Sequence, residues 1–320
     1  MRFAFLLPAY KSDFLEQALR SILAQTYQEF DVLVSDDCSP QDIKSIVDRF
    51  ADSRVRYRRN DHNFGVKHLA EHWNLLLGLT SAEYVLLASD DDVYHKDFLK
   101  EVDALIEKYP DCDVFRPRID HIDGNGDVLL EEEPFGTDML DRKQYLQMFA
   151  THRIWSGVPQ YVFKLKALRD TGGFADFPAA WYSDDATVCK LSAHGLGIVD
   201  KVLFSFRESG VSITSGAQSD DMIRDKIIAS SKYASFLKEE LKDPEYQDAI
   251  KSLYGRARYV TYQLVYSLPF PRRIKQFRNI AAQHSDLFDL RTRLYYFKFF
   301  RLGRIKSFVK KYISPLMRKP

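Results

Sequence analysis

Three runs of adjacent aspartates carry the chemistry that can be read from this sequence: Asp36-Asp37, Asp90-Asp91-Asp92 and Asp184-Asp185. Neighbouring carboxylates repel one another, so a triple run is best tolerated where a cation neutralises it. Hard divalent cations such as Mg²⁺ or Mn²⁺ bind carboxylates together with phosphate oxygens. The same run also fits a solvated acidic turn that caps a helix near Lys96. Asp36-Asp37 fits an acceptor for a base or a ribose hydroxyl, or an N-cap for the helix after it. Asp184-Asp185 follows the aromatic pair Trp181-Tyr182 and opens a helical stretch. A paired carboxylate against an aromatic wall can have a raised pKa, as a general base requires. Its other reading is favourable negative charge at a helix N-terminus.

Weaker signals surround these. Asn63 and Gly65 lie in a loop, and Lys67 is placed to reach a phosphate. The eight histidines lack HExxH spacing, so a transition-metal site is not expected. Neither GxGxxG nor GxxxxGK[ST] occurs, which argues against dehydrogenases and P-loop enzymes. Gly172-Gly173 marks a break in the chain.

Elements that alternate in periodicity must position the aspartates. Phe3 to Leu7 is a continuous apolar run, as in a strand buried on both faces. A helix follows, with Ser12 as its cap and Leu15, Ala18, Leu19, Ile22 and Leu23 at helical spacing. Phe30 to Val34 predicts a strand ending at the first acidic pair. Helices are predicted over 41–50, 68–79 and 96–109, and strands near 55–57 and 84–88, the latter ending at the triple aspartate. This β-α-β-α series predicts a largely parallel sheet with helices on both faces, whose ligands bind beyond the strand carboxyl ends. Further on, a strand over 114–119, a hairpin turn at Asp123-Gly124-Asn125-Gly126, a helix over 184–193 and a strand over 198–207 are expected.

Composition bounds the rest. The chain has 320 residues, 45% hydrophobic and 28% charged, enough for a large domain with an appendage. Cys38, Cys112 and Cys189 are odd in number and far apart, which predicts buried thiols in a reducing, cytoplasmic compartment. The short apolar N-terminus reads as a strand rather than a signal peptide, and no run of 18 apolar residues predicts a membrane span. The net charge of +1 hides an asymmetry: residues 220–320 hold 22 Lys and Arg against 10 Asp and Glu. Residues 291–320 hold ten of those bases and no acid, interleaved with aromatics. Such a segment either lies on an anionic membrane as a peripheral contact or packs on the catalytic domain. With the remainder acidic and free of nucleic-acid motifs, no nucleic-acid partner is expected.

The order of the motifs LLPAY, ILAQTYQEFDVLVSDDCS, NFG, AEYVLLASDDDVY, GGF, YSDDATVCKL and FRESGVSITS resembles the family 2 glycosyltransferases over residues 1–215. The resemblance implies a GT-A fold, here α/β with a C-terminal helical extension. It implies inverting transfer from a nucleotide sugar, UDP being the commonest donor nucleotide, to a hydroxyl of a glycan or lipid-linked acceptor, in a pathway such as cell-surface polysaccharide synthesis. Carried over by position, Pro8, Ala9 and Tyr10 line the base and ribose, and Asp37 reads the base. Asp91 is the main ligand of the Mn²⁺ or Mg²⁺ on the diphosphate. Asp90 and Asp92 flank it on ribose and metal; no family position fixes the donor-loop basic residue, for which Lys67 is the candidate. Asp185 deprotonates the acceptor, with Trp181, Tyr182 and Asp184 on the acceptor side. Two departures stand: the family's Glu-Asp is Asp184-Asp185 here, and its DxD is a triple Asp. The expected division is a catalytic domain over 1–219 and a basic helical region over 220–320. Two rival readings are a non-catalytic scaffold or sugar-binding protein on this fold, and a sugar-phosphate nucleotidyltransferase. The second lacks its glycine-rich loop, because PAYKSDFLEQ contains no glycine.

Overall fold

Apolar runs bounded by Pro, Asp and Gly become buried strands, and runs with a 3.6-residue period become the helices laid on them. The structure is a computed structural model that describes residues 1–208 and 219–267, together with Lys275, Arg278, Asn279 and Ala282. The basic segment 291–320 and the end of FRESGVSITS lie outside the described residues.

The first half reads β1 (Phe3–Ala9), α1 (Leu15–Leu23), β2 (Phe30–Asp36), α2 (Ile43–Asp48), β3 (Val55–Arg59), α3 (Leu69–Leu77), β4 (Tyr84–Leu87), β5 (Val93–Tyr94) and α4 (Phe98–Lys108). The second half reads β6 (Val114–Ile122), β7 (Val128–Glu131), β8 (Met139–Leu140), α5 (Arg142–Ala150), β9 (Val162–Lys164), α6 (Leu165–Asp170), α7 (Ser183–Leu191), β10 (Leu196–Arg207), α8 (Asp220–Glu240) and α9 (Gln247–Ser267). The sheet order is β3-β2-β1-β4-β9-β6-β10-β5, with β7 on β6 and β8 on β10. β3, β2, β1 and β4 are parallel neighbours, as are β6 and β10. β9 runs antiparallel between β4 and β6, so the largely parallel sheet expected carries an antiparallel strand at its centre.

Each central strand feeds two cores. In β1, Phe3, Phe5 and Leu7 face α1, α2 and α4, while Ala4 and Leu6 face the layer of α3 and the later helices. Both faces are thus covered, which is why β1 has no polar alternation. Burying each of these large side chains contributes about 1.5–3 kcal/mol. α8 and α9 join the second layer, where Tyr233, Leu237, Ile250 and Leu253 pack in one cluster with Tyr145 and Phe149 of α5.

Three caps that the sequence allowed do not form. Ser12 does not cap α1, which starts after Phe14 without a side-chain cap. The loop after β1 is held elsewhere: the Tyr10 and Lys11 amides donate to Asp90 and the Ser12 amide donates to Gln41 Oε1, so the helix begins later. α2 is capped by Asp42, whose carboxylate accepts from the Ser45 amide at 3.1 Å, leaving Asp36-Asp37 for other work. Nor does the triple aspartate cap α4, which begins at Phe98 after Asp97.

Candidate active site

β1, β2 and β4 end side by side, with Ala9 opposite Asp36, and the first two acidic runs hang from these ends. Asp90 reaches across to the loop after β1 and accepts the Tyr10 and Lys11 amides at 2.9 and 2.8 Å. Lys11 Nζ lies 3.3 Å from Asp91 Oδ2 and 3.8 Å from Asp90 Oδ1. The Ser89 hydroxyl donates to the other Asp91 oxygen. Asp92 takes a different direction: it is 1% exposed and accepts the Arg207 amide at 2.9 Å. The Arg207 guanidinium fixes the turn from behind, donating to the carbonyls of Asp91 and Asp123 and to Gln17. Burial pushes the Asp90 carboxyl up, and burial with the Asp91 charge beside it pushes Asp92 well above the usual carboxylate range.

Asp37 organises the loop over residues 60–65. It accepts from Asn60 Nδ2 and the Phe64 amide at 3.0 Å, and from the Gly65 amide at 3.2 Å. Asn63 Nδ2 donates to the Asp37 carbonyl at 2.8 Å. Gly65 has φ +59, in the left-handed region. Beneath the loop, buried His72 sits 3.0 Å from the Ser35 hydroxyl and 3.1 Å from Asn60 Nδ2, with Phe64 stacked on its ring. His68 stands four residues earlier but is exposed beside Glu71, so the two rings do not converge. Asp36 is spent on Tyr57, Arg59 and the Ser39 amide. Ala9 is buried, Pro8 half-buried and Tyr10 45% exposed. Lys67 is exposed on the 3-10 turn Val66–His68 next to this loop.

The third acidic run belongs to a separate wall. Asn74 of α3 clamps the Gly172-Gly173 break, accepting the Phe174 amide at 2.8 Å and donating to the Phe174 carbonyl at 3.0 Å. Ala179, Ala180 and Tyr182 then take positive φ, a strained stretch that turns the chain into α7. Tyr182 is held there by stacking on Tyr233 of α8, with centroids 4.5 Å apart and planes at 2°. Asp185 lies in the first turn of α7, 9% exposed, and its Oδ1 is buried without a hydrogen-bond partner. Its amide donates to Asp184 Oδ1 at 3.0 Å. Burial, then the Asp184 charge, pushes the Asp185 carboxyl well above the ordinary range. A carboxylate with a raised pKa and a bare oxygen can take a proton.

The structure therefore joins Tyr10, Asp90 and Asp91 directly and sets Asp37 on the adjacent strand end. Trp181, Tyr182, Asp184 and Asp185 form the second wall. Sequence reasoning did not single out Lys11, Asn60, His72 or Arg207, nor Tyr233 and Lys226 of α8. Lys11 had a local signal, standing directly after the PAY motif. Arg207 stands in the FRESGVSITS motif, while the others come from distant segments and had no signal.

Among the described residues no group of three His, Cys, Asp or Glu side chains could hold a metal ion unaided. Asp90 and Asp91 together draw an ammonium between them, which fits a hard cation that takes its remaining ligands from a diphosphate and water.

Comparisons with known proteins bear on the whole arrangement. The family described as Glycosyl transferase family 2 matches residues 5–165. The chain is 29% identical over 136 residues to the poly(ribitol-phosphate) beta-N-acetylglucosaminyltransferase TarS of Staphylococcus aureus, covering 39% of this chain and 22% of TarS. It is 26% identical over 118 residues to glycosyltransferase GlyG of Streptococcus pneumoniae serotype 4, covering 33% of this chain and 38% of GlyG. The matches thus span well under half the length of these relatives. The fold is similar to that of S. aureus TarS 1-349 in complex with UDP-GlcNAc, with TM-score 0.60, 17% identity, and coverage of 95% of this chain and 92% of that one. It is also similar to the mannosyltransferase PcManGT of Pyrobaculum calidifontis in complex with GDP-Man and Mn²⁺, with TM-score 0.52, 17% identity, and coverage of 88% and 75%.

Proposed function

The chain belongs to glycosyl transferase family 2, and from that premise we propose that it is an inverting, metal-assisted enzyme that moves a sugar from a UDP donor to a hydroxyl of a glycan or lipid-linked acceptor. The observation that carries this reading is the tie between Asp90, Lys11 and Asp91 at the strand carboxyl ends, where ligands of such sheets bind.

On this reading Pro8, Ala9 and Tyr10 line the base and ribose. Asp37 reads the base while it shapes the Asn63–Gly65 loop, and Lys67 approaches the phosphates from that loop. Asp91 is the main carboxylate for Mn²⁺ or Mg²⁺, with Asp90 on the ribose side; Asp92, expected beside it on the metal, is buried on the Arg207 amide and holds the turn instead. Bound there, the cation supplies neutralisation of the charge that develops on the leaving diphosphate. Asp185 takes the proton from the acceptor hydroxyl as that oxygen attacks the anomeric carbon. The bond to the diphosphate breaks in the same displacement, so one base suffices and no enzyme nucleophile is needed. Trp181, Tyr182 and Asp184 shape the acceptor side.

TarS is named for transfer of N-acetylglucosamine and was crystallised with UDP-GlcNAc, which supports UDP and an N-acetylhexosamine as the first donor to test. The reading carries a cytoplasmic location with peripheral membrane contact through 291–320. No helix among the described residues is long and apolar enough to cross a membrane. The test is UDP release from UDP-GlcNAc with Mn²⁺ and a panel of glycan and polyol acceptors. Acceptor-dependent release that disappears in Asp185→Asn is expected. Release that is equal in that variant would overturn the assignment of the base.

A further inference from the structure

We propose that Ser156 is a positioning residue for Asp185: its hydroxyl donates to the Asp185 carboxylate, and the strap 155–161 that carries it fastens this wall to the turn of the triple aspartate. The inference rests on the reading of Asp185 as the base given above. The strap is pinned just before Ser156. The Trp155 carbonyl accepts from Arg116 Nη1 at 3.0 Å and from Gln160 Nε2 at 2.7 Å, and the Trp155 amide donates to Glu132 Oε1 at 3.0 Å. None of Arg116, Glu132 and Gln160 is more than 2% exposed. Ser156 therefore follows a residue whose backbone donor and acceptor are both fixed from the core. Farther along, the Tyr94 hydroxyl donates to the Pro159 carbonyl at 2.7 Å. Tyr94 stands two residues after Asp92, so the same strap is tied to the donor turn.

Both aspartates of α7 meet this strap. The Val158 amide is directed at the Asp184 carboxylate and the Ser156 hydroxyl at that of Asp185, and each favours the ionised form of its partner. Asp185 Oδ1 has no partner within hydrogen-bond distance, which leaves it for the proton of the acceptor. Ser156 Oγ and Tyr161 Oη lie 3.2 Å apart, and either can donate. With Tyr161 donating, the single Ser156 proton is left for Asp185. Two charges also face Asp185: Asp184 on its own helix, which pushes the carboxyl up, and Arg256 of α9, which pulls it down. Cys189 and the phenols of Tyr145, Tyr161, Tyr182 and Tyr233 face it as neutral groups. Against a wall that disfavours the carboxylate, a hydroxyl on a fixed strap does two things. It holds the ionised form, and it fixes the direction in which that form points.

The test is a pH titration of Asp185 by carboxyl ¹³C NMR on the full chain labelled at aspartate, the resonance being assigned by its loss in Asp185→Asn. Wild type, Ser156→Ala, Ser156→Thr and Tyr161→Phe are compared. Ser156→Ala removes a donor to the charged form, so the Asp185 midpoint should rise by about one pH unit. Ser156→Thr keeps the hydroxyl and should return the midpoint to the wild-type value. Tyr161→Phe leaves the Ser156 hydroxyl but frees it to turn, and should fall between. In acceptor-dependent UDP release the acid limb of kcat should move up with the NMR midpoint, while KM for UDP-GlcNAc stays within about twofold, because the donor turn is untouched. An unchanged or lowered midpoint in Ser156→Ala, or a raised one that Ser156→Thr does not bring back, would overturn the proposal. If Asp185→Asn keeps acceptor-dependent release, the reading of Asp185 as the base fails instead, and the NMR midpoints still decide whether Ser156 holds this carboxylate.

Discussion

On the proposed mechanism Asp185 carries the proton chemistry, and its surroundings set the pH at which it can act. Burial and the Asp184 charge raise its pKa well above the ordinary 3.8. Transfer should therefore fall as pH drops through that raised value, at a higher pH than a free carboxylate would give, and a kcat profile would show it. Asp185→Asn should cut transfer by roughly 10²–10⁴-fold while UDP binding persists. The same shift makes a stability prediction. A carboxyl raised on folding favours the native state below its unfolded pKa and loses that contribution as pH rises through the folded pKa. Asp185→Asn should accordingly match the wild type near pH 3.8 and gain on it toward neutrality in denaturant melts. The aspartates were legible in the sequence because adjacent like charges are costly without a job. Lys226 was not, since its one contact of note, with the Trp181 ring, is to a residue 45 positions away.

Elements place these residues through a few fixed joints. The joint between α3 and the loop before α7 is Asn74 on the Phe174 backbone. Asn74→Ala leaves that buried backbone pair unsatisfied and should cost about 1–3 kcal/mol in urea unfolding. Gly173→Ala should be as damaging by a different route. Its φ is +85, and an added Cβ would meet Asn74 Oδ1 at 2.3 Å, so the joint would have to shift. The strands and helices that were readable, among them β1, β2, β6, β10, α1, α3 and α4, have single-period patterns of their own. β5, β8 and β9 span two or three residues each and are defined only by neighbours far along the chain. α5 did carry a readable signal in the reciprocal Asp141 and Gln144 capping box.

At the scale of the molecule, α8 and α9 close the layer of core that contains Tyr145 and Phe149 and bring Tyr233 onto Tyr182 at the start of α7. Removing everything after residue 208 should strip that layer. The remaining chain should lose its cooperative thermal transition, which calorimetry would detect as a broad or absent peak. The basic segment 291–320 is a separable matter: its deletion should reduce flotation with anionic liposomes and leave UDP release unchanged. The opposite charges of the two segments were legible in the sequence, while the packing of α8 on the second core layer was not, because no periodicity names its partner. The most direct test of the central claim is donor binding, read as the thermal shift of the wild type and Asp91→Ala with UDP-GlcNAc and Mn²⁺. A metal-dependent rise in the wild type that is lost in Asp91→Ala is the predicted result. No rise in the wild type with any UDP- or GDP-sugar, or an equal rise in both proteins, would contradict the account.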